Sequence, residues 1–215
     1  MNSPYVYSYY EPVFNTCSSV CVKLVNKWID NWTSFGWKPV VLREWHAAEH
    51  HLYKDFSDTI KHFKTRNHAD YERACFMRWL AMASVGGGLM ADIDTFNYGW
   101  YPQDNAFTSD TITIHCDHIL PALVSGSAKA YEAKCDMFIN HRTEDKYTHI
   151  SDMIILQSNP SSVIVSGGPL RIFMCYGWRD ASVLHLGTEA MEKMSMLPKW
   201  QHIKSVEDKK YGSAV

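Results

Sequence analysis

A strand, a helix and a second strand follow one another within residues 5–42, and that order leaves the chain few folds to choose from. Residues 5–10 (YVYSYY) are rich in β-formers and read as the first strand. Over residues 18–35, Val20, Cys21, Leu24, Val25, Trp28, Trp32 and Phe35 fall on one stripe, the period of an amphipathic helix. Gly36 stops it, and KPVVL (38–42) reads as the second strand. A unit this short implies a parallel strand pair with a right-handed crossover.

The remaining pattern extends that layout. Residues 44–68 are polar and His-rich, mixed helix and loop. A helix is expected over 69–84, ended by Gly86-Gly87-Gly88, and LMADID then reads as a buried strand finishing in two aspartates. Further strands are expected at 111–115, 162–165 and 170–175, with helices over 128–140 and from 152. Such alternation predicts an α/β fold, a mixed, mainly parallel sheet with helices on both faces. The 215 residues suit one domain, 1–205, with 206–215 as a polar, linker-like tail.

Charge and cysteines narrow the function. A net charge of −2 gives no electrostatic reason to bind nucleic acid or an anionic membrane surface. An anionic ligand would therefore need a local device, such as a metal ion or a helix N-terminus. The six cysteines show no CxxC pair and read as buried thiols of a reducing compartment. Neither a leader pattern nor an apolar run of about 18 residues occurs, so a cytoplasmic location without a membrane span is expected. Asn31-Trp32-Thr33 reads as a chance glycosylation sequon.

The strongest chemical signal is Gly87-Gly88-Leu89-Met90-Ala91-Asp92-Ile93-Asp94. Carboxylates at i and i+2 of an extended segment point the same way. At a strand end they offer hard oxygens to one Mg²⁺ or Mn²⁺, which substrate phosphates then complete. Two solvated loop aspartates are the bland alternative, and the apolar LMA before them favours a buried strand end.

Arg78-Trp79-Leu80 followed by Gly-Gly, an apolar triplet and Asp-x-Asp resembles the sugar-binding DXD region of GT-A glycosyltransferases. The resemblance covers 69–96 well and the strand–helix–strand start loosely, with Arg78 one residue farther from the glycines than in that pattern. Ser151-Asp152-Met153-Ile154-Ile155-Leu156 is similar to the helix start that lines the donor sugar in several retaining members. His185-Leu186-Gly187 is similar to the late His-x-Gly whose imidazole completes the metal shell. The whole chain also resembles the N-terminal domains of multidomain glycosyltransferases of chlorella viruses. These resemblances imply a GT-A, Rossmann-like nucleotide-binding domain, set in the host cytoplasm and followed by further domains. They imply Mn²⁺ (or Mg²⁺) on Asp92, Asp94 and His185, and a UDP-sugar donor contacted by Arg78 and Asp92. They imply Asp152 as the catalytic carboxylate, and transfer of a hexose or deoxyhexose to a glycan acceptor hydroxyl, with retention. Inverting members instead need a carboxylate base on the acceptor, and the residues themselves leave both mechanisms open.

Each of these residues has a plainer reading. Asp152 could be a first-turn carboxylate behind Ser151, and His185, between Val183-Leu184 and Leu186, a satisfied core histidine. Ser8, Tyr9 and Tyr10 end the first strand, where open α/β folds bind nucleotides, and a tyrosine could stack on uracil there. Packing is the alternative. Ser125 and Gly126 could let a sugar approach, although Pro121 to Ser127 also reads as a loop leading to a helix N-cap. His115-Cys116-Asp117-His118 is expected along a strand end, where alternating side chains cannot converge on zinc. His46, His50 and His51 read as a solvated helix face.

Competing classes fit less well. Aspartyl-nucleophile phosphatases place Thr four residues beyond the first Asp, whereas Thr95 is three beyond Asp92. A sugar nucleotidyltransferase would need a Gly-rich, basic loop after the first strand, and YSYYEPVFN has none. A non-catalytic nucleotide-sugar or carbohydrate-binding domain accounts for the aromatics but not for the Gly-Gly…Asp-x-Asp unit.

Overall fold

The computed structural model describes residues 4–12, 20–102, 107–141, 148–172 and 181–187. The expected tail and residues 173–175 lie outside them. The elements run β1 (Tyr5–Tyr9), α1 (Val20–Ser34), β2 (Lys38–Leu42), α2 (Glu44–Ala48), α3 (Tyr53–Ile60), α4 (Ala69–Ser84), β3 (Gly87–Ala91) and β4 (Thr95–Asn97). They continue through β5 (Ile112–Ile114), β6 (Leu123–Ser127), α5 (Ala128–Ile139), α6 (Asp152–Ser158), β7 (Val163–Val165), β8 (Leu170–Ile172) and β9 (Val183–His185).

One sheet has the order β2-β1-β3-β6-β5-β7, and a small one the order β4-β9-β8. In the large sheet β1 runs parallel to β2 and β3, and β5 parallel to β7, while β6 is antiparallel to both neighbours. The α/β class expected from the alternation is the one observed. Helix α1 packs against β2 and β4, whereas α4 and α5 pack against β1, β3 and β6.

The aromatic residues mainly build the core. Trp28 and Trp32 are buried on α1, and Trp32 Nε1 donates to Thr95 O at 3.0 Å, tying α1 to the segment after β3. Trp37, Trp100 and Phe107 complete the cluster. Asn31 is spent on structure, since its amide donates to Asn97 O and its carbonyl accepts from Asn97 N. Helix α4 is buried almost all round from Phe76 to Ala83, because α2, α3 and α5 cover the side that the sheet does not.

The glycine run does more than end a helix, because Gly87 and Gly88 already belong to β3. A Cβ on Gly87 would lie 2.5 Å from backbone atoms of Gly126, Ser127 and Ala128, and the residue's φ is 81°. Only glycine lets β6 approach this closely. Residues 121–127, read as a loop, contain strand β6, whose last residue Ser127 also caps α5 by accepting from Ala130 N.

His115 makes stability depend on pH. Its ring packs against Trp100 and Phe107, and its Nε2 lies 2.8 Å from Ser125 Oγ. Burial pushes its pKa down to about 4, so the unfolded chain, with an ordinary histidine, binds the proton first as pH falls. The contribution is present in full above about pH 6.5 and declines towards pH 4, by a total of about 3 kcal/mol. Urea unfolding at pH 7.5 and pH 4.5 should show this loss in the unmodified chain and a smaller one in His115→Asn. An equal loss in both would refute the assignment.

Candidate active site

Strands β1 and β3 run side by side and finish at the same edge of the sheet, the edge where open α/β folds hold ligands. Tyr10 and Glu11 follow β1, and Asp92 follows β3. The aspartates do not lie on an extended segment as expected. The chain turns between them, with Thr95 N donating to Asp92 O at 2.9 Å. Convergence comes instead from the small sheet, where β4 pairs antiparallel with β9 in the register Thr95↔His185. Leu186 N donates to Asp94 O at 2.9 Å and locks the two strand ends together. Ligand atoms of Asp92, Asp94 and His185 thereby lie within 4.8 Å of one another. His185 Nδ1 is 3.2 Å from Asp94 Oδ1, so the imidazole is no bystander of the core.

A cleft of about 530 Å³ opens over this cluster. Helix α4 supplies its inner wall through Tyr71, Glu72, Cys75 and Arg78. Arg78 is the buried link: Nη1 donates to Asp92 Oδ1, while Nε and Nη2 donate to Asp152 Oδ2 at 3.2 and 2.6 Å. Trp79 Nε1 adds a donor to the same oxygen at 2.8 Å, and Asp152 Oδ1 accepts from Met153 N. The cap of α6 is Ser151, whose hydroxyl accepts from Ile154 N at 3.3 Å. Asp152 is therefore a buried carboxylate held by an arginine and a tryptophan.

The electrostatics are those of an anionic site with one fixed cation. Burial raises the Asp92 pKa, with Asp94 adding repulsion against the pull of Arg78. Burial opposes the charged forms of Arg78 and His185, yet both are held above their ordinary pKa. Asp152 and Asp92 outweigh burial for Arg78, and Asp94 and Asp92 do so for His185. Two carboxylates and an imidazole at one point fit a divalent cation, and the imidazole favours Mn²⁺ over Mg²⁺.

Other expected site residues fall differently. Tyr9 and Tyr10 line the cleft, and Arg43 lies over the Tyr10 ring at 4.9 Å. Ser8 does not line it: it is buried inside β1, its hydroxyl without a hydrogen-bond partner among the described residues. Ser125 and Gly126 sit within β6, where Ser125 faces His115 and a Cβ on Gly126 would lie 2.8 Å from Ile112 Cδ1. Their small size serves packing, not access for a sugar. Conversely, Asn67, Tyr71, Glu72 and His149 line the cleft and were not singled out from the sequence. Tyr71, Cys75 and Arg78 share a helical face, which is the signal that marks the first of them.

Two further expectations need correction. Cys116, Asp117 and His118 do converge, with His118 Nδ1 2.9 Å from Asp117 Oδ1, because the chain bends after β5. His50 is not on a solvated face but packs against Glu132 of α5, Nε2 to Oε2 3.3 Å, while His51 beside it is exposed.

Residues 1–108 match a family model described as "Domain of unknown function (DUF8765)"; this half of the chain carries Arg78, Asp92 and Asp94. No curated protein matches. Among solved structures, a glycosyltransferase involved in the glycosylation of the major capsid of PBCV-1 aligns over 94% of this chain and 99% of its own. Its identity is 13% and its TM-score 0.49. Mouse xyloside xylosyltransferase 1, in its apo form, aligns over 87% of this chain and 99% of its own, with 10% identity and a TM-score of 0.46. Likeness at this level says nothing about activity. By the family match, the chain belongs to the DUF8765 family.

Proposed function

We propose that the chain is a metal-dependent glycosyltransferase of the GT-A kind, moving a hexose or deoxyhexose from a UDP-sugar to a glycan acceptor hydroxyl with retention. One observation carries this reading: Asp92, Asp94 and His185 converge beside a buried Arg78–Asp152 pair, in one cleft at the carboxyl ends of parallel strands. When bound, a divalent cation held by Asp92, Asp94 and His185 would offset the negative charge of the leaving diphosphate.

The chain's own residues do the rest. Arg78 fixes Asp92 and Asp152 relative to one another. With its Oδ2 taken by three N–H donors, Asp152 suits electrostatic stabilisation of an oxocarbenium-like transition state better than nucleophilic attack. The bond from C1 to the diphosphate breaks with its electron pair leaving on phosphate. The acceptor oxygen bonds to C1 on the same face, and its proton passes to the departing diphosphate. Tyr9 and Tyr10 stand at the strand end that receives the nucleotide.

Further domains of a longer polypeptide and a host-cytoplasmic setting belong to the same proposal; among the described residues no helix is long and apolar enough to cross a membrane.

Thermal unfolding with Mn²⁺ and a panel of UDP- and GDP-sugars tests the reading, because a ligand that binds only the folded state raises Tm by mass action. UDP-sugars should raise Tm more than GDP-sugars at equal concentration. Larger shifts with GDP-sugars would refute the base assignment, and no shift with any nucleotide-sugar would refute the function. Tight binding without transfer would mark a non-catalytic binding domain.

A further inference from the structure

Glu72 is used by nothing described so far. It lies one turn into α4 but is only 5% exposed, so it is not a solvated first-turn carboxylate favoured by the helix dipole. Its Oε1 accepts from Asn67 Nδ2, while Oε2 is buried with no hydrogen-bond partner among the described residues. His149 braces the same carboxylate. Its Nδ1 lies 3.3 Å from the backbone N–H of Arg66, which donates to it, leaving the ring proton on Nε2, 3.8 Å from Glu72 Oε1. All three side chains line the cleft that holds Asp92 and Asp152.

A buried acceptor oxygen left unpaired, on a side chain that lines a ligand cleft, is costly to the fold unless a ligand donates to it. We propose that Glu72, braced by Asn67 and His149, anchors a ring hydroxyl of the donor sugar. This rests on the glycosyltransferase reading and adds a specificity element to it. Glu72 sits six residues before Arg78, about 9 Å along the axis of α4, and lines the same cleft as Arg78 and Asp152. A sugar whose C1 lay beside Asp152 would share the cleft with Glu72. The anchor takes a hydroxyl donor and discriminates against a donor lacking it, since the deoxy analogue leaves the oxygen unpaired. Burial pushes the Glu72 carboxyl up, and Asn67 and His149 oppose this, as groups that favour the ionised, accepting form do.

Titration calorimetry of Glu72→Gln and Glu72→Ala with Mn²⁺ tests the anchor, using UDP alone and then UDP-glucose, UDP-galactose and UDP-rhamnose. UDP affinity should stay the same, while the extra affinity conferred by the sugar falls about ten- to a hundredfold. Equal weakening of UDP and UDP-sugar, no change in either, or a sugar that adds nothing in the unmodified chain would overturn the anchor. Should UDP fail to bind the unmodified chain at all, the function proposed above fails by itself. Ligand-observed NMR with methyl glycosides then reads the anchor directly. Sugar signals lost in Glu72→Gln support it; signals retained in the variant, or absent from the unmodified chain, overturn it. The Tm of Glu72→Gln should not fall, since the substitution removes a buried charge that the fold leaves half paired.

Discussion

Asp152→Asn is expected to lower sugar transfer, or the slower hydrolysis of the donor by water, at least about a hundredfold, the scale of losing one electrostatic stabiliser. UDP-sugar affinity should stay within a few-fold, because a group that acts on the transition state contributes little to ground-state binding. Taken as a helix-start carboxylate, Asp152 would be replaceable at almost no cost in stability. The structure changes that expectation. Its Oδ2 accepts from Arg78 Nε, Arg78 Nη2 and Trp79 Nε1, all buried, and an asparagine returns no negative charge to the guanidinium. A stability loss of about 1–3 kcal/mol should accompany the loss of turnover. Steady-state kinetics and urea unfolding of the same variant measure both. Full turnover in Asp152→Asn would move the catalytic carboxylate elsewhere.

What the sequence revealed depended on the length and period of each element. Helix α4 was legible over 69–84, because a long run rich in Ala, Met, Leu and Arg and closed by glycines declares itself. Strands β4 and β9 have three residues each, too few to show a period, and pairing across the chain defines them. Yet that pairing brings His185 to Asp94, so the convergence of the imidazole with the two aspartates could be expected only from resemblance and not from local pattern. Strand β6 was hidden by Ser125 and Gly126, small residues demanded by close packing but read as loop chemistry. Arg78 stands one residue farther from the glycines than in the resembled pattern, and at the joint of α4 and β3 Gly86 has φ 97°. The guanidinium nevertheless reaches Asp92. Glu72 was missed because its burial and its stranded oxygen are tertiary facts.

Removing either aspartate should abolish metal-dependent binding of the nucleotide-sugar, a loss of at least about a hundredfold. The two variants differ in side effects. Asp92 also pairs with Arg78, so Asp92→Ala disturbs the link to Asp152 as well as the proposed cation site. Asp94 contacts His185 and leaves the Arg78 pairs untouched, which makes Asp94→Ala the cleaner probe. Asp94→Ala should cost little stability, since it removes one of two neighbouring like charges at the cleft, whereas Asp92→Ala also takes a partner from the buried Arg78 and should cost more.

The most direct test is titration calorimetry of a UDP-sugar into the unmodified chain with Mn²⁺, into the same chain with a chelator, and into Asp94→Ala with Mn²⁺. The account predicts binding in the first case and its loss in the other two, with the Asp94→Ala protein folded by circular dichroism. Equal affinity in chelator, or unchanged Mn²⁺-dependent affinity in Asp94→Ala, would contradict it.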